Sequence, residues 1–222
     1  MINIATLVKE RSSLGNYFAP DAYVKGEFEF GLIENRSGSR LLALPHTLLQ
    51  AIYTGLEQEV GQEGSGLVMF NCGRWWGKSF FKRFSEEVGE YYGKPIVQME
   101  MVEFLQCVKQ CWKTHGWGVI DIDFDFYQKG FLAVKVENSA FARVAPSGKQ
   151  PMCFFEAGIL SAFFSQLTGR NLHCVQTACE SMGAECNFFI LGLAERLESV
   201  EAWQEEGHDH NKIMELLCAN QS

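Results

Sequence analysis

The segment from Pro151 to Gly192, PMCFFEAGILSAFFSQLTGRNLHCVQTACESMGAECNFFILG, constrains the fold more than any other part of the chain. It opens as an apolar helical run, breaks at Thr168-Gly169, and continues as two strand-like runs joined at Ser181-Met182-Gly183-Ala184. Four of the eight cysteines fall inside it: Cys153 at the start of the helix, Cys174 in the first strand, Cys179 at that strand's end and Cys186 at the start of the second. A hairpin packed on its own preceding helix brings the sulfurs of Cys153, Cys179 and Cys186 together. A cysteine-bearing helix–hairpin is therefore the expected organising element.

The remaining segments supply what that element packs against. Residues 1–39 read as an N-terminal extension in which Tyr23 to Ile33 alternates well enough for one or two strands. Arg40 to Leu44 reads as a short buried strand, and Pro45 then starts a helix with Leu48, Leu49, Ile52, Tyr53 and Leu56 on one side. Gly61 to Gly66 reads as a flexible connection and Leu67 to Phe70 as a further buried strand. A helix is expected from Gly73 to Tyr92, with Trp76, Phe80, Phe81, Phe84 and Val88 on one face. Gly73 and Gly77 near its start permit close backbone approach. Another helix spans roughly Val97 to Thr114, with Met101, Phe104, Leu105, Val108 and Trp112 inward.

From Ile120 to Phe126 apolar and acidic residues alternate strictly, and the turn at Gln128-Lys129-Gly130 leads into Phe131–Val136. This is a β-hairpin with one wet face carrying Asp121, Asp123 and Asp125. Residues 138–150 read as a loop around Pro146-Ser147-Gly148, Ala194 to Trp203 as helical, and Glu205 to Ser222 as a polar tail with little to hold it down. The fold class expected is α/β of the α+β type: an antiparallel sheet with helices packed on one side and the cysteine-bearing helix–hairpin in the C-terminal part.

A net charge of −8 argues against a nucleic-acid backbone or an anionic membrane as partner. No run of 18 apolar residues suggests a membrane span, and the N-terminus lacks the pattern of a secretory signal. Eight cysteines without an export signal point to a reducing, cytoplasmic setting where thiols stay free or bind metal. Eighteen Phe and five Trp either fill a core or line a cavity for a flat, greasy ligand.

Zinc favours thiolates, and Cys153, Cys179 and Cys186 converging from a helix and a hairpin suit a tetrahedral site. Cys179-x6-Cys186 is wider than a usual knuckle, and buried cysteines also act as small hydrophobes, so both readings stand on spacing. Cys107 and Cys111, four apart, read as a core stripe with Trp112. His173 lies beside Cys174, while His208 and His210 fall in the acidic tail and read as a solvated end. No nucleophile elbow, phosphate loop or dinucleotide fingerprint is visible, and an enzyme is not the leading expectation.

The order of these features resembles a known family. Leu41-Leu42-x-Leu44-Pro45, a helix, a glycine-containing aromatic helix, Gly116-Trp117-Gly118, then Cys179…Gly183…Cys186 before an apolar strand are similar to the 4-vinyl reductase-like domain. The same fold occurs in phenol-sensing transcriptional activators and in Golgi vesicle-tethering subunits. The resemblance covers residues 40–192, is strongest over Cys153–Phe189, and leaves 193–222 as a C-terminal helix and polar tail. It implies a zinc held by the helix cysteine, a strand glutamate and the two hairpin cysteines. On this chain those are Cys153, the position of Gln176, Cys179 and Cys186. The glutamine departs from the pattern, and Cys174, two residues earlier on the same strand face, is the candidate replacement.

The resemblance also implies a cavity for a small apolar molecule, with Trp76, Phe80, Trp112, Trp117, Phe154 and Phe163 as its candidate lining. The function expected is binding of a small hydrophobic or tetrapyrrole-like ligand, as carrier, sensor or assembly accessory, including in chlorophyll metabolism or photosystem biogenesis. A protein–protein dimerisation module without ligand, or an accessory subunit of a vinyl reductase, is the alternative. A homodimer and a further protein partner are expected, because no effector motif is attached.

Overall fold

The computed structural model of the chain describes residues 15–145 and 151–219. In chain order they form α1 (Pro20–Tyr23), β1 (Val24–Glu27), β2 (Leu32–Asn35), α2 (Thr47–Tyr92), α3 (Met101–Thr114), β3 (Val119–Asp123), β4 (Leu132–Glu137), α4 (Phe154–Thr168), β5 (Leu172–Ala178), β6 (Asn187–Leu193), α5 (Ala194–Leu197), α6 (Val200–Glu205) and α7 (His210–Ala219). The class is α+β, as expected. No described helix is long and apolar enough to cross a membrane. Contacts divide the chain into two units, one from residues up to Pro45 with Lys82–Trp117, the other from His46–Phe81 with Gly118 onward. The loop expected at Pro146-Ser147-Gly148 and the first fourteen residues lie outside the described residues.

In the first unit, β1 and β2 pair antiparallel. Tyr17, Phe18, Tyr23 and Phe84 are buried together, with the Phe18 and Phe84 rings stacked at 5.8 Å. Buried Asn35 donates from Nδ2 to Glu87 Oε1 at 2.6 Å, which satisfies both polar groups. Helix α3 starts with reciprocal hydrogen bonds between Glu100 and Glu103 and buries Phe104, Leu105, Val108 and Trp112.

The second unit is built on the sheet β3-β4-β6-β5, antiparallel throughout. Alternation sets its faces: Ile120 and Ile122 are buried while Asp121 and Asp123 are exposed. Helix α4 begins at Cys153 as expected, and every residue from Glu156 to Phe164 is buried. A helix apolar all round must be covered on all sides, and α2 supplies part of that cover. The two helices touch through backbone. A Cβ on Gly158 would lie 2.1 Å from the Phe70 carbonyl oxygen, and one on Gly73 would lie 2.2 Å from that of Phe155.

Three segments differ from the sequence expectation. Leu67–Phe70 is helical, and α2 runs on through it, broken only at Gly61, where φ 76°, ψ 172° puts a kink that glycine alone adopts freely. Its buried positions, Ser65, Gly66, Met69, Phe70, Gly73, Gly77 and Phe80, keep helical spacing, but most of them are Gly or Ser. Arg40–Leu44 is not a buried strand: Arg40 makes one bridge to Glu34, and Leu42 and Leu44 are 74% and 60% exposed. The C-terminal tail is not loose. Ile213, Met214 and Leu217 of α7 are buried against Phe131, Ile190, Leu197 and Val200. His210 stacks on Phe188 with ring centroids 4.2 Å apart. These contacts cover the side of β6 that carries Phe188 and Ile190, alternating with Phe189 and Leu191.

Candidate functional site

Strand β5 has a cavity of about 540 Å3 beside it. Its apolar wall comes from Leu67 and Phe70 of α2, Phe154 and Ala157 of α4, Val175 of β5 and Leu197 of α5. Polar groups are few and specific. His173 and Gln176 line it from the strand, Gln204 from α6, and Cys153 and Cys174 present thiols. Glu63, Glu198 and Glu201 add three carboxylates, all on exposed residues, and the lining contains neither Lys nor Arg. An apolar chamber with a few convergent polar groups and an acidic rim is suited to an organic molecule without negative charge.

Burial sets the protonation of this lining. It lowers the pKa of His173, with the charge of Arg74 adding to the shift, so the imidazole is neutral near pH 7 and offers one donor and one acceptor. The Phe70 ring lies 4.9 Å from it. Burial pushes the Cys174 thiol well above its ordinary value, and Glu156 adds to this. Gln204 donates from Nε2 to the Gln176 carbonyl at 2.9 Å and fastens α6 to β5.

At the other end of β5, the hairpin corner is a polar network. Gln176 Oε1 accepts the Cys153 backbone N–H at 2.8 Å, and its Nε2 donates to Asn187 Oδ1 at 3.3 Å. Asn187 Oδ1 also accepts the Glu180 N–H at 3.1 Å, and Asn187 Nδ2 donates to the Val136 carbonyl at 3.1 Å. The Glu180 carboxylate accepts the N–H groups of Asn138 at 2.7 Å and Ser139 at 3.2 Å, which holds Asn138 at φ 54°. Ser139 Oγ donates to Glu156 Oε2 at 2.7 Å. Burial raises the Glu156 carboxyl to about 7, and the Ser139 hydrogen bond opposes the rise.

The cysteines stand where the sequence places them along the chain: Cys153 caps α4, Cys179 follows β5 and Cys186 precedes β6. Cys153 Sγ donates to Glu156 Oε2 at 3.6 Å, and Cys179 Sγ lies 3.0 Å from Ser181 Oγ. Cys174 faces the cavity. Among the described residues, no group of three or more His, Cys, Asp or Glu is placed to hold a metal ion. Of the aromatic residues named from sequence, Phe154 lines the cavity. Phe80 and Phe163 are buried against each other with centroids 5.7 Å apart, and Trp76 stacks on Phe80 and Phe155. Trp112 and Trp117 belong to the first unit, edge to face at 5.2 Å. Sequence reasoning missed Leu67, Phe70, Val175, Leu197 and the three glutamates. Leu67 and Phe70 fall in a segment that reads as a strand, and α5 and α6 lie beyond the segment that carries the resemblance.

Comparison with known proteins agrees with the resemblance. Residues 132–193, from β4 to the end of β6, match the 4-vinyl reductase domain. No curated protein matches the chain in sequence. Among solved structures, the phenol-responsive sensory domain of the transcription activator PoxR, determined with phenol, superposes with a TM-score of 0.66 at 14% identity over 88% of this chain and 98% of that one. A vinyl-4-reductase family protein from Methanocaldococcus jannaschii gives a TM-score of 0.45 at 19% identity, covering 70% of this chain and 83% of that one. A trafficking protein particle complex subunit 3 from Naegleria fowleri, covalently bound to palmitic acid, gives 0.49 at 12% identity, covering 67% and 94%. The first of the three shares the fold.

Proposed function

We propose that this chain, with its 4-vinyl reductase domain over residues 132–193, is a cytoplasmic small-molecule sensor or carrier whose ligand occupies the cavity beside β5. The observation that carries the reading is the cavity itself: about 540 Å3, apolar on most sides, with a neutral His173 available to hydrogen-bond a hydroxyl or amine. A ligand would gain on the order of 25 cal/mol per Å2 of apolar surface buried. The fold is shared with a sensory domain solved with phenol, which supports an aromatic ligand here. A tetrapyrrole fits this lining when its carboxylates are esterified or absent, because free propionates would meet Glu63, Glu198 and Glu201 without a cation to pair with. Signalling would pass to another protein.

Titration with phenol, indole, tryptamine, benzoate and a free-acid porphyrin, followed by thermal shift and calorimetry, tests the proposal. Saturable binding of the neutral and amine ligands is expected, weakened by Ala157→Leu and by the rim variant Ala194→Trp. Absence of saturable binding across the panel, or binding unaffected by both variants, would refute it.

A second reading, self-association, is favoured by exposed apolar residues on α2: Leu67 at 63% and Trp75 at 74% exposure, with Val68 between them in sequence. A homodimer through this helix would shift to monomer in light scattering on Trp75→Ser, and an unchanged mass would remove it.

A further inference from the structure

We infer that the hairpin corner, where the resemblance expects zinc, is held in this chain by a closed hydrogen-bond clasp and stands without a metal. The inference goes beyond the ligand reading and does not depend on it.

The residue that decides the matter is Gln176. At this position a carboxylate could turn both oxygens to a cation, but an amide has one acceptor oxygen and a donor nitrogen. Both ends are used within the protein. Oε1 takes the Cys153 N–H, a donor at the start of α4 that has no partner within the helix, and Nε2 donates to Asn187. A glutamate could not make the second bond, since carboxylate and Asn187 Oδ1 both accept. Asn187 is fully buried, and its orientation is fixed by three partners: it accepts from Gln176 and Glu180 and donates to Val136.

The bonds form a ring. They run from the start of α4 through Gln176 on β5 and Asn187 on β6 to Glu180 in the turn between Cys179 and Cys186. Glu180 then holds the backbone after β4, and Ser139 returns to Glu156 in the first turn of α4. A metal bound by Cys153, Cys179 and Cys186 would tie together the same helix start and hairpin ends. Meanwhile the Cys153 thiol points to Glu156 and the Cys179 thiol to Ser181, and no three potential ligands among the described residues converge on one point. A fully satisfied buried network is a sufficient fastener, because each member would be costly to leave unpaired.

The test is made on the full chain, expressed and purified without added metal. Elemental analysis is expected to find zinc far below one equivalent, and the melting temperature should be unchanged by EDTA. Asn187→Ala should lower the melting temperature by roughly 5–10 °C, since it strands the Gln176 amide, the Glu180 N–H and the Val136 carbonyl. Asn187→Asp, which keeps the acceptor and loses the donor, should fall between the wild type and the alanine variant. Cys179→Ser should cost less than Asn187→Ala, with zinc restoring neither. Stoichiometric zinc whose removal lowers the melting temperature would overturn the inference. So would a Cys179→Ser loss exceeding that of Asn187→Ala.

Discussion

Helix α4 is fastened at two places by opposite means. At its middle, Gly158 lets the Phe70 carbonyl approach so closely that no side chain intervenes. At its start, the Cys153 N–H enters a network of amides and carboxylates. The crossing depends on volume and is indifferent to solution conditions. The clasp depends on the match of donors to acceptors and tolerates changes of volume better than loss of a partner. A helix that is apolar on all sides has no amphipathic stripe to orient it, so its rotation and position have to be fixed by contacts of this specificity.

The largest expected effect falls on the crossing. Gly158→Ala places a Cβ on a main-chain oxygen that neither helix can withdraw without losing register, and should cost at least about 3 kcal/mol in denaturant unfolding. A Gly158→Ala protein with near-normal stability would show that the two helices are not in backbone contact. Next comes the clasp: Gln176→Leu, close in volume, leaves the Cys153 N–H and the Asn187 carbonyl without partners and should cost about 1–3 kcal/mol. If Gln176→Leu is neutral, the distinction between the two attachments fails.

A smaller, pH-dependent effect belongs to α7, where His210 stacks on Phe188 and its Nδ1 lies 2.7 Å from Thr177 Oγ1. Burial lowers its pKa from 6.5 to about 4 in the folded chain, with Asp209 opposing the shift. The unfolded chain therefore binds the proton more readily. Stability from this group is complete above pH 6.5 and is lost as pH falls toward 4. His210→Phe should flatten that part of the pH–stability curve, and an unchanged slope would assign the acid sensitivity elsewhere. Least of all, Leu67→Ser on the exposed side of α2 should change monomer stability by no more than about 0.5 kcal/mol.

The hairpin and the helix before it were legible because their signals are local: a glycine stop after Thr168, strict alternation, and a turn containing Gly183. The same alternation identified Asp121 and Asp123 as the wet face of β3. The middle of α2 was not legible, because its buried stripe includes Ser65, Gly66, Gly73 and Gly77, and a short Leu-Val-Met-Phe run satisfies helix and strand alike. The tail misled in another way. Its acidic composition outweighed Ile213, Met214 and Leu217, whose spacing fits one helical face, and nothing in the sequence announced Ile190 as their partner. Of the site, Phe154 and the cysteines were visible as residue types. Phe70, Leu197 and the acidic rim come from elements whose approach is decided by tertiary packing.

Phe70 takes part in both features, since its carbonyl meets Gly158 and its side chain lines the cavity. One wall of the chamber is therefore built on the stiffest joint of the unit and has no room to retreat from an incoming molecule. Accommodation falls to the opposite wall, where Leu197 joins the cavity to Val200, Ile213 and Met214. Occupancy should then be felt at the carboxyl end of the chain, as slower amide hydrogen exchange across α6 and α7 with no change between Gly73 and Gly77.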